Sequence, residues 1–260
     1  MLQYIIMCHA LLLCRVPPFL KCLIFMVLWF ILVIVNTYRK YSFSCHRTDF
    51  NMTLVSSSLI VGATFLLTQA LRVISRHVLP QSAYQYLAES LCVFQLTSCV
   101  LENGIVLANY GTWVYAVLLF CLCLGYSLTF DAYGNPAAMY EQILKRKISV
   151  WNGILKMISE VAGGLLAYRY MFYLWNTMAP SSSHVNRVEI MRTSCESALK
   201  VDLLSGVVVE ALAMFISRSV AGMGLGGPKY YKMVNAFTSA IVVVSGELLF
   251  INTVIICMDL

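Results

Sequence analysis

Asn135-Pro136-Ala137 is the segment of this chain whose residue types and spacing most plainly do chemistry. It follows an apolar run from Trp113 to Phe130 and a short turn, Asp131-Ala132-Tyr133-Gly134, and it precedes a basic cluster, Lys145-Arg146-Lys147. Proline is tolerated at the first position of a helix, where its missing N–H is not needed. An Asn just before it can cap the free N–H groups or aim its side-chain amide into a cavity. The pattern predicts a half-helix from Pro136 to about Lys145 that begins inside a membrane. A helix N-terminus at that depth is tolerated only where it lines a polar cavity, so the feature points to a pore. Asn-Pro is also an ordinary turn dipeptide, and the rest of the chain has to decide between the two.

Carboxylates inside apolar helices are expensive and mark function by default. Glu89 falls in a helix expected over 84–108, Glu210 in one over 201–220, and Glu160 in a long segment over 148–178. Asn135 follows Glu89 by 46 residues, and Asn252 follows Glu210 by 42. Each Glu is followed by the rest of its helix, a turn, a second apolar helix (112–130 and 230–245), a Gly (Gly134, Gly246) and an Asn. Two halves in matching order, separated by one further helix, must lie inverted in the membrane, with interrupted helices meeting at the midplane.

Composition sets the solvent. Of 260 residues, 60% are hydrophobic and 12% are charged, which is a membrane protein's balance. The net charge of +6 reflects loop asymmetry, with no nucleic-acid partner implied. Lys145 to Lys147, and Arg218, Lys229 and Lys232, assign those two loops to the cytoplasmic side. The Ser-rich stretch 179–199 then becomes a loop on the other side. Gly163-Gly164, at the centre of 148–178, allows close helix approach. Ten cysteines without a Cys-x-x-Cys read as small buried hydrophobes. The four histidines are scattered, so no enzyme chemistry, cofactor or metal site is expected. The expected organisation is an N-terminal extension with an apolar helix (1–51), an additional helix (52–78), a first repeat (83–178) and an incomplete second repeat (200–260). Met52 is an alternative start.

Over about residues 52–252 the chain resembles the aquaporin family, in its unorthodox aquaporin-11 and aquaporin-12 branch. The likeness is carried by Glu89-Ser90-Leu91-Cys92-Val93-Phe94-Gln95-Leu96 with Glu102 nearby, by Leu128 to Pro136, and by Val201-Asp202-Leu203-Leu204 with Glu210 and Ala211. The resemblance implies an all-α fold of six spanning helices and two half-helices meeting at paired Asn-Pro-Ala motifs, with water passing in single file. It implies that Asn135, Pro136 and Ala137 line the pore and that Tyr115 is the aromatic at its narrow filter. Glu89, Glu210 and Glu160 become bracing residues that hold loop backbone. Lipid, water or a small neutral solute such as glycerol or hydrogen peroxide, and sister subunits in a tetramer are the implied partners. The implied location is an intracellular membrane such as the endoplasmic reticulum.

The chain departs from that pattern at its end. The second motif reads Asn252-Thr253-Val254, without the Pro, and Ile255 stands where the filter Arg belongs. From Gly246 to Leu260 there is too little chain for a turn and a full span, so the last helix is expected to be missing. Two readings follow: a channel of impaired competence, or a non-conducting form that acts as a subunit or partner of other aquaporins.

Overall fold

The computed structural model describes residues 47–129, 132–178, 180–193 and 203–250. Among the described residues there are eight helices and no strand. They are α1 (Arg47–Val78), α2 (Gln81–Tyr110), α3 (Thr112–Thr129), α4 (Pro136–Leu144), α5 (Val150–Met178), α6 (Ser182–Thr193), α7 (Leu203–Met223) and α8 (Gly227–Phe250). Met52–Val78, Gln81–Tyr110, Thr112–Thr129 and Leu204–Met223 are long and apolar enough to cross a membrane. α5, which carries Lys156, Glu160 and Arg169, and α8 also reach spanning length, at 29 and 24 residues.

Local sequence explains the joints. Pro80 ends α1 and caps α2 in an extended conformation, at φ −63° and ψ 149°. Gly111 separates α2 from α3 at φ 80°, a value an L-residue avoids, and its N–H closes the last turn on the Leu107 carbonyl. α1 begins at Arg47, ahead of the start expected at Met52. α8 runs through Gly246 to Phe250, past its expected end at Ser245.

α2 is the central element, packing most extensively on α5 and then on α1 and α3. Lipid is as apolar as a leucine side chain, so such packing rests on close approach and polar contacts rather than on water expulsion. Gly163 provides the closest approach: a Cβ there would stand 3.1 Å from Ser90 Cα and 3.0 Å from Ser90 C. α1 supplies the polar contacts. Thr53, Ser57, Thr64 and Thr68 share one face and are buried, whereas Leu59, Val73, Ile74 and Val78 are exposed. Thr68 Oγ1 donates to Gln95 Oε1 in α2, and Thr64 Oγ1 pairs with the Tyr170 hydroxyl of α5 at 3.1 Å. α8 docks on α3, where Ala240 packs with Tyr115 and Leu119, and Phe237 meets Phe120 edge-on at 6.0 Å.

The stretch 179–199 departs from the loop expected there. It holds the 12-residue helix α6, whose apolar periodicity is nil. Long-range contacts make this helix. Val188 enters a core cluster with Ile60, Leu101, Ile105, Met171 and Trp175. His184, fully buried, pairs through Nε2 with Glu102 Oε1 at 2.8 Å, and its Nδ1 lies 2.7 Å from Ser181 Oγ. Trp175 Nε1 donates to the other Glu102 oxygen at 2.7 Å. One buried carboxylate thus ties α2, α5 and α6 together.

Candidate functional site

The site is built around the loop that opens α4. Asn135 is extended, at φ −153° and ψ 114°, and its Oδ1 accepts from the Ala137 N–H at 2.9 Å. Pro136 occupies the first helical position, where it needs no donor. Capping fixes the amide's orientation. With the oxygen turned to the half-helix, Nδ2 faces away and lies 3.7 Å from the Met214 sulfur of α7. A thioether is a weak acceptor, so this donor is only lightly engaged. It also lies at the positive end of α4, where partial negative charge is favoured.

The loop before Asn135 has no secondary structure to satisfy its N–H groups. Glu89 does so: its Oε2 accepts from Tyr133 N–H and Gly134 N–H, each at 2.9 Å. Its Oε1 lies 3.4 Å from Lys156 Nζ of α5. Glu160, one helical turn further along α5, is buried and faces both Glu89 and the Asn135 N–H, outside hydrogen-bonding geometry. Tyr126 completes the loop by donating to the Tyr133 carbonyl at 2.7 Å. Gly134 lies at φ 53°, and a Cβ there would come within 2.6 Å of the Tyr126 hydroxyl and 2.7 Å of Cys92 Sγ. Glycine is required at this position for both reasons.

The other end of α4 is tied by charge. Glu141 pairs with Lys145, one turn later, and with Arg218 of α7, whose Nε donates to Oε2 at 2.9 Å. Lys145 first, and Arg218 after it, hold the Glu141 carboxyl below the ordinary glutamate range. The contact also joins the two basic stretches that the charge pattern assigns to the same side.

The structure brings Asn135, Pro136, Ala137, Glu89 and Glu160 to one place. Tyr115 is buried elsewhere, against Leu119 and Ala240. Glu210 is exposed on α7. Asn252 and Ile255 lie outside the described residues. Lys156, Glu141 and Met214 belong to the site and escaped the sequence reading, which placed Arg218 only among the loop cations. Lys156 carried a usable signal, being an ionisable residue inside the expected 148–178 helix. Met214 carried none, since an apolar residue in an apolar helix marks nothing.

No family model matches the chain, and no solved structure matches it. Curated proteins do. Aquaporin-11 of Milnesium tardigradum is 27% identical over 152 residues, covering 58% of this chain and 54% of that protein. Aquaporin-12 of Mus musculus is 29% identical over 162 residues, covering 59% of this chain and 55% of that protein. Aquaporin-11 of Homo sapiens is 25% identical over 178 residues, covering 66% and 64%. The chain thus spans little more than half the length of the first two. The chain is thus similar to aquaporins of the unorthodox aquaporin-11 and aquaporin-12 branch.

Proposed function

We propose that this chain forms, or contributes to, a membrane channel that passes water and small uncharged solutes such as glycerol or hydrogen peroxide beside Asn135. The observation that carries this reading is the fixed orientation of the Asn135 amide, with its oxygen spent on the Ala137 N–H and its Nδ2 turned away. A water oxygen passing there meets a side-chain donor at the positive end of a half-helix, while a cation meets repulsion. Glu89 supports rather than transports, because both of its oxygens already have partners. From the family resemblance we infer an intracellular membrane such as the endoplasmic reticulum as the location, and a homotetramer as the assembly.

Stopped-flow swelling of vesicles holding the purified chain, beside an Asn135→Asp variant, tests the reading. Flux above empty vesicles that falls in the variant supports it. Inserted protein with flux equal to empty vesicles removes it for this chain alone.

A second reading rests on the outer face of α7. Along that face Leu204, Val207, Leu212 and Phe215 are all exposed, Leu204 and Phe215 at 71% and 70%. In this reading the chain is non-conducting by itself and serves as a subunit that lays α7 against another aquaporin chain. Cysteine crosslinking from positions 204 and 215 separates lipid from protein as the covering partner.

A further inference from the structure

Met214 is the apolar member of the site, and its sulfur stands where chemistry can change it. Asn135 turns Nδ2 away from the half-helix because its oxygen accepts from the Ala137 N–H. Among the described residues the partner of that Nδ2 is Met214 Sδ, at 3.7 Å. The contact is held in register. Arg218 lies one turn beyond Met214 on α7, and its Nε donates to Glu141 of the half-helix that Asn135 caps, at 2.9 Å. Residues four apart share a helix face, so the two contacts seat one face of α7 along α4. The sulfur is not sealed in a core: Met214 is 36% exposed, and Pro136, next to Asn135, is exposed as well.

A thioether accepts hydrogen bonds weakly, so Asn135 keeps a donor to offer. Oxidation reverses that. A peroxide gives one oxygen atom to the sulfur: the O–O bond breaks, an S–O bond forms, the sulfur loses two electrons, and the second oxygen leaves with both hydrogens as water. The product, a methionine sulfoxide, is polar where the thioether was apolar. Its oxygen is a strong acceptor set one bond out from a sulfur already beside Nδ2, within hydrogen-bond reach of the amide.

We propose that Met214 is an oxidant-sensitive site, at which a peroxide forms a sulfoxide whose oxygen takes the Asn135 Nδ2 donor. The amide is then occupied by the protein itself and no longer meets the oxygen of a passing water or solute. The effect on flow rests on the channel reading; the capture of the amide does not. A peroxide that travels past Asn135 shuts its own route.

The purified chain in vesicles, exposed to hydrogen peroxide and then washed, tests the site. Peptide mass spectrometry follows the sulfoxide at Met214, and stopped-flow swelling follows water flux, each preparation being compared with itself before treatment. The expected result is a severalfold fall in flux that tracks Met214 oxidation. Met223→Leu, which removes a sulfur-bearing side chain that is 68% exposed elsewhere on α7, keeps the fall, and Met214→Leu loses it. Flux that is unchanged once Met214 is oxidised overturns the proposal. So does an equal fall in Met214→Leu, or a Met214 that stays unoxidised while Met223 reacts. The side-chain amide signal of Asn135, read by NMR with isotope-labelled asparagine, separates these results from failure of the channel reading. If untreated vesicles show no flux, the channel reading fails for this chain, and the amide decides the site. A shift on oxidation that is absent in Met214→Leu upholds it, and no shift overturns it.

Discussion

Gly163→Ala is the substitution that most directly tests how the site is held. A Cβ at this position would meet Ser90 of α2, with Cα at 3.1 Å, the carbonyl carbon at 3.0 Å and its oxygen closer still. Carbon atoms in good contact stand about 3.5–4 Å apart, so the two helices must part by roughly 1 Å. The obstruction is backbone, and no side-chain rotation relieves it. Overpacking of this kind costs about 1–3 kcal/mol, and the rigid obstruction puts this case near the upper end. Alanine recovers about 1 kcal/mol of helix propensity over glycine. The net expectation is destabilisation by about 2 kcal/mol. Gly164→Ala is the built-in control, because its Cβ would lie 3.8 Å from Val93 Cγ1, in ordinary contact. That variant gains up to about 1 kcal/mol of propensity and loses nothing. Unfolding of purified protein by SDS in mixed micelles, followed by circular dichroism, measures both. Equal midpoints for the two variants, or a Gly163→Ala midpoint at or above the unaltered chain, would refute the argument that α2 and α5 meet backbone to backbone.

Glu89→Ala removes the acceptor of two loop N–H groups and leaves Lys156, which is only 13% exposed, without its carboxylate; the expected loss is about 3 kcal/mol, with faster amide exchange at Tyr133 and Gly134. Gly134→Ala combines a left-handed φ of 53° with a clash against Tyr126 and Cys92; it should lower the yield of monodisperse protein more than Gly164→Ala does. The Glu141 tether should respond to acid. Its carboxyl is held below the ordinary value of 4.5 by Lys145 and Arg218, so its stabilisation is complete above that value and is lost as pH falls through the lowered one. The pair is part-exposed, so the effect is small. Subtracting the acid-unfolding profile of Glu141→Gln from that of the unaltered chain should isolate it, and identical profiles would show that the tether does not contribute.

Much of the architecture was readable because apolar length and helix punctuation are local. α2, α3 and α4 fall within a few residues of the ranges the apolar runs and Asn135-Pro136 predict, 84–108, 112–130 and 136 to about 145. Glu89 and Glu160 stood out because an ionisable residue in an apolar helix is rare at any position. α6 was not readable. Its apolar residues, Val185, Val188, Ile190 and Met191, form no helical stripe, and its helix depends on His184 reaching Glu102, 82 residues earlier. The inward polar face of α1 was hidden for a similar reason: its threonines and serines look incidental until Gln95 and Tyr170 are placed opposite them. The Glu141–Arg218 pair joins residues 77 apart, and no local pattern connects them.

The parts around Asn135 depend on one another in sequence. A loop at membrane depth leaves N–H groups that cost several kcal/mol each if nothing accepts from them. Glu89 supplies one oxygen to two of them. A buried carboxylate is itself unfavourable until a cation offsets it, and Lys156 is the cation. Lys156 lies on α5, and α5 reaches α2 because Gly163 presents no side chain to Ser90. The direction in which the Asn135 amide points is therefore decided partly by a glycine 28 residues further along the chain, on a helix that does not contain the loop.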